Sequence, residues 1–377
     1  MNSHHTTAGA GKVEAVQYAT DSSQGVSRRH YYNLLAVTAL GDSLGLAYEN
    51  MPGRRVRAIT KGILRQRFVL GRRGMVSDDT EHALMTARAL MDSGEDSEVF
   101  ERQLSRRLKR WLRTFPPAAG KATITSIFLM HFKKPSRCGR PSAGNGPLMR
   151  APVIGLYYAY DEASRDNFIR VSTKMTHADP RATFMAAGVA DIVAHSVSKK
   201  LTWPQMSMLF RLATSRHSSI EDACHIKELT GMLDALDESY AHGHDFSHGL
   251  KGIGCETGID GYVYRSALGA AWIASLSKDY EEAISRSVMQ GGDTDSTAAL
   301  AAAILTVGVT DQAPIEPDGI FDWPISEYLL AEHAECLHWR QECQIPEPAY
   351  IPLFLRNMVF IALDMGHIIR RALPPYR

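Results

Sequence analysis

Nearly every apolar run in this chain has the spacing of an α-helix rather than a strand. Phe100, Leu104, Leu108, Trp111 and Leu112 fall at i, i+4, i+8, i+11 and i+12, which is one helical face. The basic residues interleaved with them (Arg102, Arg106, Arg107, Lys109, Arg110 and Arg113) read as the solvated face of the same helix. Pro116-Pro117 is the expected stop. Similar spacing predicts helices over 31–48, 80–91 with Gly94 as C-cap, 180–198, 203–214, 219–237, 262–276, 279–289, 294–307, 325–338 and 352–370. No run of four or more β-branched or aromatic residues alternates strictly, and neither a βαβ rhythm nor an internal repeat is present. The expectation is an all-α fold, one compact helical domain over 27–377.

The chain has 377 residues, enough for one large core. Residues 1–26 are small and polar and bury too little apolar surface to offset the entropy of ordering, so they read as a flexible extension. A net charge of +1 leaves no bulk field to draw in nucleic acid or acidic lipid, and neither is expected as a partner. The five cysteines, Cys138, Cys224, Cys255, Cys336 and Cys343, are widely spaced with no C-x-x-C pair, which fits a reducing, cytoplasmic setting. The N-terminus lacks the apolar run of a secretory signal. The longest apolar stretch, 298–309, is shorter than the roughly 18 residues that a membrane span needs, and reads as a buried core helix.

Two acidic clusters carry the chemistry. Ser77-Asp78-Asp79-Thr80 stands where a helix begins, and a cap alone accounts for much of it, because a helix N-terminus favours negative charge by about 0.3–1 kcal/mol. Gly291-Gly292-Asp293-Thr294-Asp295-Ser296 is harder to explain as a cap, with two carboxylates and a hydroxyl after a tight glycine turn. Carboxylate and hydroxyl oxygens are hard ligands suited to magnesium, manganese or calcium. Two such clusters meeting across a bundle could hold two ions, which clamp a substrate and activate water. Asp42 and Glu49 are further carboxylates in an otherwise apolar segment.

Five motifs occur in order: G-D-S-L-G-L-A-Y-E (41–49), S-D-D-T-E (77–81), G-N-G-P-L-M-R (144–150), T-H-A-D (176–179) and G-G-D-T-D-S (291–296). Together they resemble the ADP-ribosylglycohydrolase family, which includes the dinitrogenase reductase-activating glycohydrolases. The resemblance implies a compact all-α domain with two magnesium ions, manganese being the substitute. It puts the metal ligands on Ser77, Asp78, Asp79, Asp293, Asp295 and Ser296. The base comes from Glu49, Asp78 or Asp79, and sequence does not rank them. The loop from Gly144 to Arg150, with Asn145, Gly146 and Met149, resembles an ADP-ribose-binding turn whose glycines permit close approach to phosphate. His177 resembles a residue bordering the nucleotide, and Tyr262 a pocket aromatic. Ser77 and Ser296 stand where the family often has Thr. Pro147 has no N–H to give a phosphate.

The implied activity is hydrolysis of the bond between ADP-ribose and a modified target, with arginine on a protein as the expected acceptor. Bacterial relatives serve as immunity proteins against ADP-ribosylating toxins, and residues 1–26 could bind such a toxin. The alternative class is a silent relative that binds ADP-ribose or acts structurally. The arginines and lysine of 54–73 read as a basic loop near the site mouth. His242, His244, Asp245 and His248 read as a surface loop rather than a metal tract.

Overall fold

The computed structural model describes residues 25–64, 74–117, 119–308, 325–341 and 346–372. The expected extension, apart from Gly25 and Val26, lies outside the described residues, as do Arg65, Arg67, Arg72, Arg73 and Cys343. The chain runs α1 (Arg28–Leu46), β1 (Met51–Pro52), α2 (Gly53–Thr60), α3 (Asp78–Ser93), α4 (Ser97–Leu112) and α5 (Lys121–Leu129). Next come α6 (Ala151–Tyr157), α7 (Glu162–Lys174), α8 (Pro180–His195), α9 (Trp203–His217), α10 (Ala223–Ala241) and α11 (Phe246–Gly252). The last are α12 (Val263–Leu276), α13 (Tyr280–Gln290), β2 (Gly291–Gly292), α14 (Thr294–Val307), α15 (Glu327–Trp339) and α16 (Tyr350–Ala372). The fold is all-α. The only described strands are two residues each, paired antiparallel with Met51 opposite Gly292 and Pro52 opposite Gly291.

The centre of the molecule is the antiparallel pair α1 and α14. A Cβ on Gly41 would lie 2.6 Å from the Ala299 nitrogen, and one on Gly45 2.5 Å from the Asp295 Cα. Glycine at these two points lets the backbones touch, so the end of α1 lies directly against the start of α14. Thr294 Oγ1 donates to the Gly45 carbonyl at 2.8 Å and fixes the register. α14 is apolar all round and buried, as expected for 298–309.

Five helices were not legible from periodicity: α2, α5, α6, α7 and α11. In α7 the buried residues are Arg165, Phe168, Ile169, Ser172 and Thr173, so its inward face is largely polar and carries no apolar stripe. Part of the basic segment expected as a loop is α2, where Arg57 donates to the Met289 carbonyl at 2.8 Å. α4 ends at Leu112, before the prolines, and Phe115 turns the chain at φ +55°. Its basic face is not fully solvated: Arg107 is buried, paired with Asp92 and Glu347, and Arg110 also pairs with Glu347. A period within one helix does not reveal that a segment more than 200 residues later supplies a covering carboxylate.

The His242, His244 and His248 rings lie near one another on the surface, and Asp245 accepts from the His248 N–H as the cap of α11. One described helix, α16, has over Tyr350–Ile369 the length and composition to cross a membrane, though only 17% of that window is buried.

Candidate active site

Asp42 organises the first acidic cluster. It is fully buried in α1 and accepts from the Ser77 N–H (2.8 and 2.9 Å), the Thr80 N–H (3.1 Å) and the Thr80 hydroxyl. Those are orphan donors at the start of α3, so a carboxylate from another helix completes the cap. Ser77 is the N-cap itself, its hydroxyl accepting from the Asp79 N–H at 3.4 Å. Asp78 and Asp79 follow in the first turn, 5% and 4% exposed.

The second cluster is placed by backbone. Gly291 and Gly292 have φ of +82° and +88°, and a Cβ on Gly292 would lie 2.1 Å from the Ile259 carbonyl oxygen. Side chains are excluded there on both counts. Asn50 N–H donates to the Gly292 carbonyl (2.8 Å) and Asp293 N–H to the Ile259 carbonyl (2.7 Å). The segment after Glu49 is thereby stitched to the segment before Asp295.

The two clusters meet. Ser296 Oγ donates to Asp79 Oδ2 at 2.8 Å, across 217 residues of sequence. Asn145 Nδ2 donates to Asp293 Oδ2 at 2.7 Å. Asp79, Asn145, Met149 and Ser296 line one cleft, whose floor includes Ala83, Pro152 and Ala299. Glu49, half-buried in the turn after α1, bonds to Asn50 Nδ2 at 3.1 Å. It acts electrostatically on both Asp78 and Asp295.

Burial pushes Asp78 well above the usual carboxylate range, and Asp42, Glu81, Asp293 and Glu49 push it further. Asp79 is raised by burial, then by Asp42, Asp78 and Asp293. Asp295 is raised by burial, then by Glu49, Asp293, Asp79 and Asp42. Burial lifts Asp42 to about 6 despite its four hydrogen bonds. These are like charges collected out of water, a costly arrangement unless protons or cations compensate it.

Asp295 Oδ1 is buried with no hydrogen-bond partner. The donor set suits a hard divalent cation. Yet among the described residues no three His, Cys, Asp or Glu side chains form a group that could cage an ion as they stand. The oxygens that would turn to an ion are engaged elsewhere, Asp79 by Ser296 and Asp293 by Asn145. Mutual repulsion reaches farther than coordination, which is why the pKa shifts and the absent cage coexist.

The Gly144–Arg150 loop joins the site from the other side. Asn145 N–H donates to the Gly261 carbonyl and Val263 N–H to the Ala143 carbonyl. A Cβ on Gly146 would lie 2.9 Å from His177 Cε1, and one on Gly144 3.2 Å from its Nε2. The observed neighbour of both glycines is therefore His177. His177 is itself buried, its Nδ1 3.0 Å from the Thr176 hydroxyl. Burial and the nearby Arg150 guanidinium lower its pKa to about 3, so it is neutral.

Arg150 is wholly buried. It donates to the Ser172 hydroxyl (2.8 Å) and carbonyl (3.1 Å), Thr176 Oγ1 (2.9 Å) and His82 Nδ1 (2.9 Å). Its pKa falls to about 10 through burial, opposed by Asp78. It works as an internal brace between α3 and the 172–177 segment. Tyr262 is half-buried between the Arg181 and Arg265 guanidiniums, and its hydroxyl donates to Glu228 at 2.7 Å. It is bridged by backbone to Gly144 and is not among the residues that line the cleft.

Sequence reasoning singled out Asp42 but gave it no role. Its place one motif upstream of the helix it caps carries no local signal of that cap. Ser266, which also lines the cleft, was missed outright.

The ADP-ribosylglycohydrolase family model matches residues 24–309. An uncharacterized protein of Archaeoglobus fulgidus is 26% identical over 290 residues, covering 73% of this chain and 86% of that protein. The ADP-ribosyl-[dinitrogen reductase] glycohydrolase of Rhodospirillum rubrum is 24% identical over 174 residues, 42% of this chain and 58% of that one. A solved structure described as an ADP-ribosylglycohydrolase-related protein complex superposes with a TM-score of 0.58 at 18% identity. It covers 83% of this chain and 98% of its own, and so shows the fold. The matched span contains both acidic clusters, the glycine loop and His177, and this chain belongs to the ADP-ribosylglycohydrolase family.

Proposed function

We propose that this protein hydrolyses the glycosidic bond between ADP-ribose and a modified protein, with arginine as the acceptor. The observation that carries the reading is the meeting of Asp79 with Ser296, and of Asn145 with Asp293, on one cleft. Three motifs distant in sequence converge there. The name of the Rhodospirillum rubrum relative supports a protein target, and the motif set supports arginine.

Ser77, Asp78, Asp79, Asp293, Asp295 and Ser296 are the residues that would hold two magnesium ions. Bound there, the ions would neutralise the carboxylates, polarise ribose hydroxyls and lower the pKa of a water. Glu49 is the best placed of the three candidate bases. It is only half-buried, whereas Asp78 and Asp79 are buried with raised proton affinity. Its carboxylate would take the proton of the water that attacks an oxocarbenium-like anomeric carbon. Asn145 would hold Asp293 in place, and Met149 would shape the wall against the sugar.

The test is release of free ADP-ribose from an arginine-ADP-ribosylated protein, with magnesium and then with EDTA. Magnesium-dependent release is the expected result. Absence of release alongside measurable ADP-ribose binding would favour the silent relative instead, with serine-linked substrate tried before that conclusion.

A further inference from the structure

Helix α16 is apolar on the side it turns away from the domain. Stepping about 100° per residue, Arg356, Asn357, Asp364 and His367 fall on the inward side with Phe360 and Leu363, and a continuous apolar face is left toward solvent. Arg356 and Asn357 are 4% and 1% exposed. Arg356 bonds to Glu81 and to the Val76 carbonyl, and Asn357 Nδ2 donates to the Thr114 carbonyl at 2.9 Å. On the opposite side Ile351, Leu355, Val359, Met365 and Ile369 are 51–68% exposed, and Ile361 (38%) and Ile368 (48%) flank that face. At those exposures the seven residues present apolar surface on the order of several hundred Å² to water. Patches that large mark interaction surfaces, and a standard interface takes about 800 Å² from each partner.

Along the crest, Leu355, Val359, Ala362, Gly366 and Ile369 repeat at spacings of 4, 3, 4 and 3, the seam of a helix pair. The two small residues sit in its middle, and a Cβ on Gly366 would meet nothing within 4 Å. Reversed about Ala362, the outward face matches itself once Met358 and Met365 are counted with the seam: Leu355 falls opposite Ile369, Met358 opposite Gly366 and Val359 opposite Met365. The bulky residues then flank a centre where backbones can approach, and no charged side chain lies on the seam. Antiparallel packing also sets the helix dipoles in opposition, which is favourable.

We propose that two copies of this chain associate through α16, packed antiparallel about a two-fold axis at Ala362. A bilayer is the other surface that could cover this face. The buried pairing of Arg356 with Glu81 ties the helix to the domain and opposes its insertion across a membrane.

The experiment is sedimentation of the full chain at micromolar concentration. The expected species has twice the 41.7 kDa chain mass. Ala362→Glu, which buries a charge at the axis, weakens association by about 100-fold while leaving far-UV circular dichroism unchanged. Under mild oxidation Ala362→Cys gives a covalent dimer. Leu355→Cys/Ile369→Cys does so too, but Leu355→Cys alone does not, with wild type as the control for native thiols. A monomer at all concentrations overturns the proposal. So does wild-type binding to phosphatidylcholine/phosphatidylserine vesicles that is lost in Ala362→Glu without any dimer, which would assign the face to a membrane.

Discussion

Two buried clusters of charge in this molecule are built on opposite principles. Around Asp191, which is 1% exposed, Arg165 donates at 2.8 Å and Arg216 reaches the other oxygen. Arg216 also holds Asp166 at 2.8 Å, and His217 stands 3.1 Å from it. Every carboxylate there has a cation. The cluster of Asp78, Asp79, Asp293 and Asp295 makes no ion pair among the described residues, with only Arg150 acting on Asp78 through space, and burial together with the neighbouring carboxylates raises the proton affinity of Asp78, Asp79 and Asp295. The first arrangement holds helices α7, α8 and α9 together. The second makes no contribution of that kind as it stands, and its composition makes sense if something positive arrives. The difference separates a structural charge cluster from a functional one without reference to either's sequence.

The largest expected effect tests that separation directly. Asp79→Ala should lower ADP-ribose release by about 10²–10⁴-fold, the range for a lost catalytic carboxylate, with circular dichroism and melting behaviour preserved or improved. Full activity would remove Asp79 from the site. In the paired cluster the result should invert. Arg165→Met leaves Asp191 Oδ1 buried without its partner and should cost up to about 3–5 kcal/mol in urea unfolding, while turnover per folded molecule stays near wild type. A stability change below 1 kcal/mol would mean that Arg216 alone suffices.

Gly45→Ala probes the link between packing and chemistry. The added methyl must push α1 from the Asp295 backbone, costing about 1–3 kcal/mol. Turnover should fall with it, since Asp295 moves as well; a stable variant with unchanged kinetics would break the connection.

The pH dependence sharpens the comparison further. The acidic cluster has raised folded pKa values, so the folded state binds more protons than the unfolded one above the ordinary 3.8. Stability in EDTA should therefore fall as pH rises from about 4 through about 6, the value for Asp42, and onward. Asp166 has the opposite sign. Burial pushes its pKa up, but hydrogen bonds from His217 and Arg216 outweigh burial and hold it below the usual range. Its contribution is present above about pH 4 and is lost as pH falls. Magnesium should flatten the upper slope and leave the lower one unchanged, as followed by melting temperature across buffers. The smallest effect is Ser296→Thr, which keeps the hydroxyl donated to Asp79. It should change kcat/KM by less than about 3-fold, because an equivalent hydrogen bond survives.

Much of this site was legible one motif at a time. Ser77, Asp78, Asp79, Asp293, Asp295 and Ser296 were singled out by residue type and spacing, and helices α3 and α14 were expected over nearly their true lengths. What was not legible was any relation across sequence distance. Asp42 read as an odd carboxylate in an apolar helix, though it caps a helix 35 residues away. Gly144 and Gly146 read as room for a phosphate, whereas their observed neighbour is the His177 ring. Arg150 closed a motif without showing that it would be wholly buried beside the site. α7 was unseen because its inward face carries Arg165, Ser172 and Thr173, Arg165 pairing with Asp191 of α8 and Ser172 accepting from Arg150.

The sequence by itself determined the helical period, the glycine turns and the acidic chemistry of the two clusters. These are local properties, fixed by side chains within a few residues of one another. Tertiary structure alone decided that Ser296 meets Asp79, that Asn145 reaches Asp293, and that one charge cluster is neutralised while the other is not. It also decided that α16 buries Arg356 and Asn357 and leaves an apolar face outward, which its composition could not reveal. The reason is that the energy of a buried charge depends on what stands across from it, and that neighbour is chosen by the packing of helices far apart in the chain.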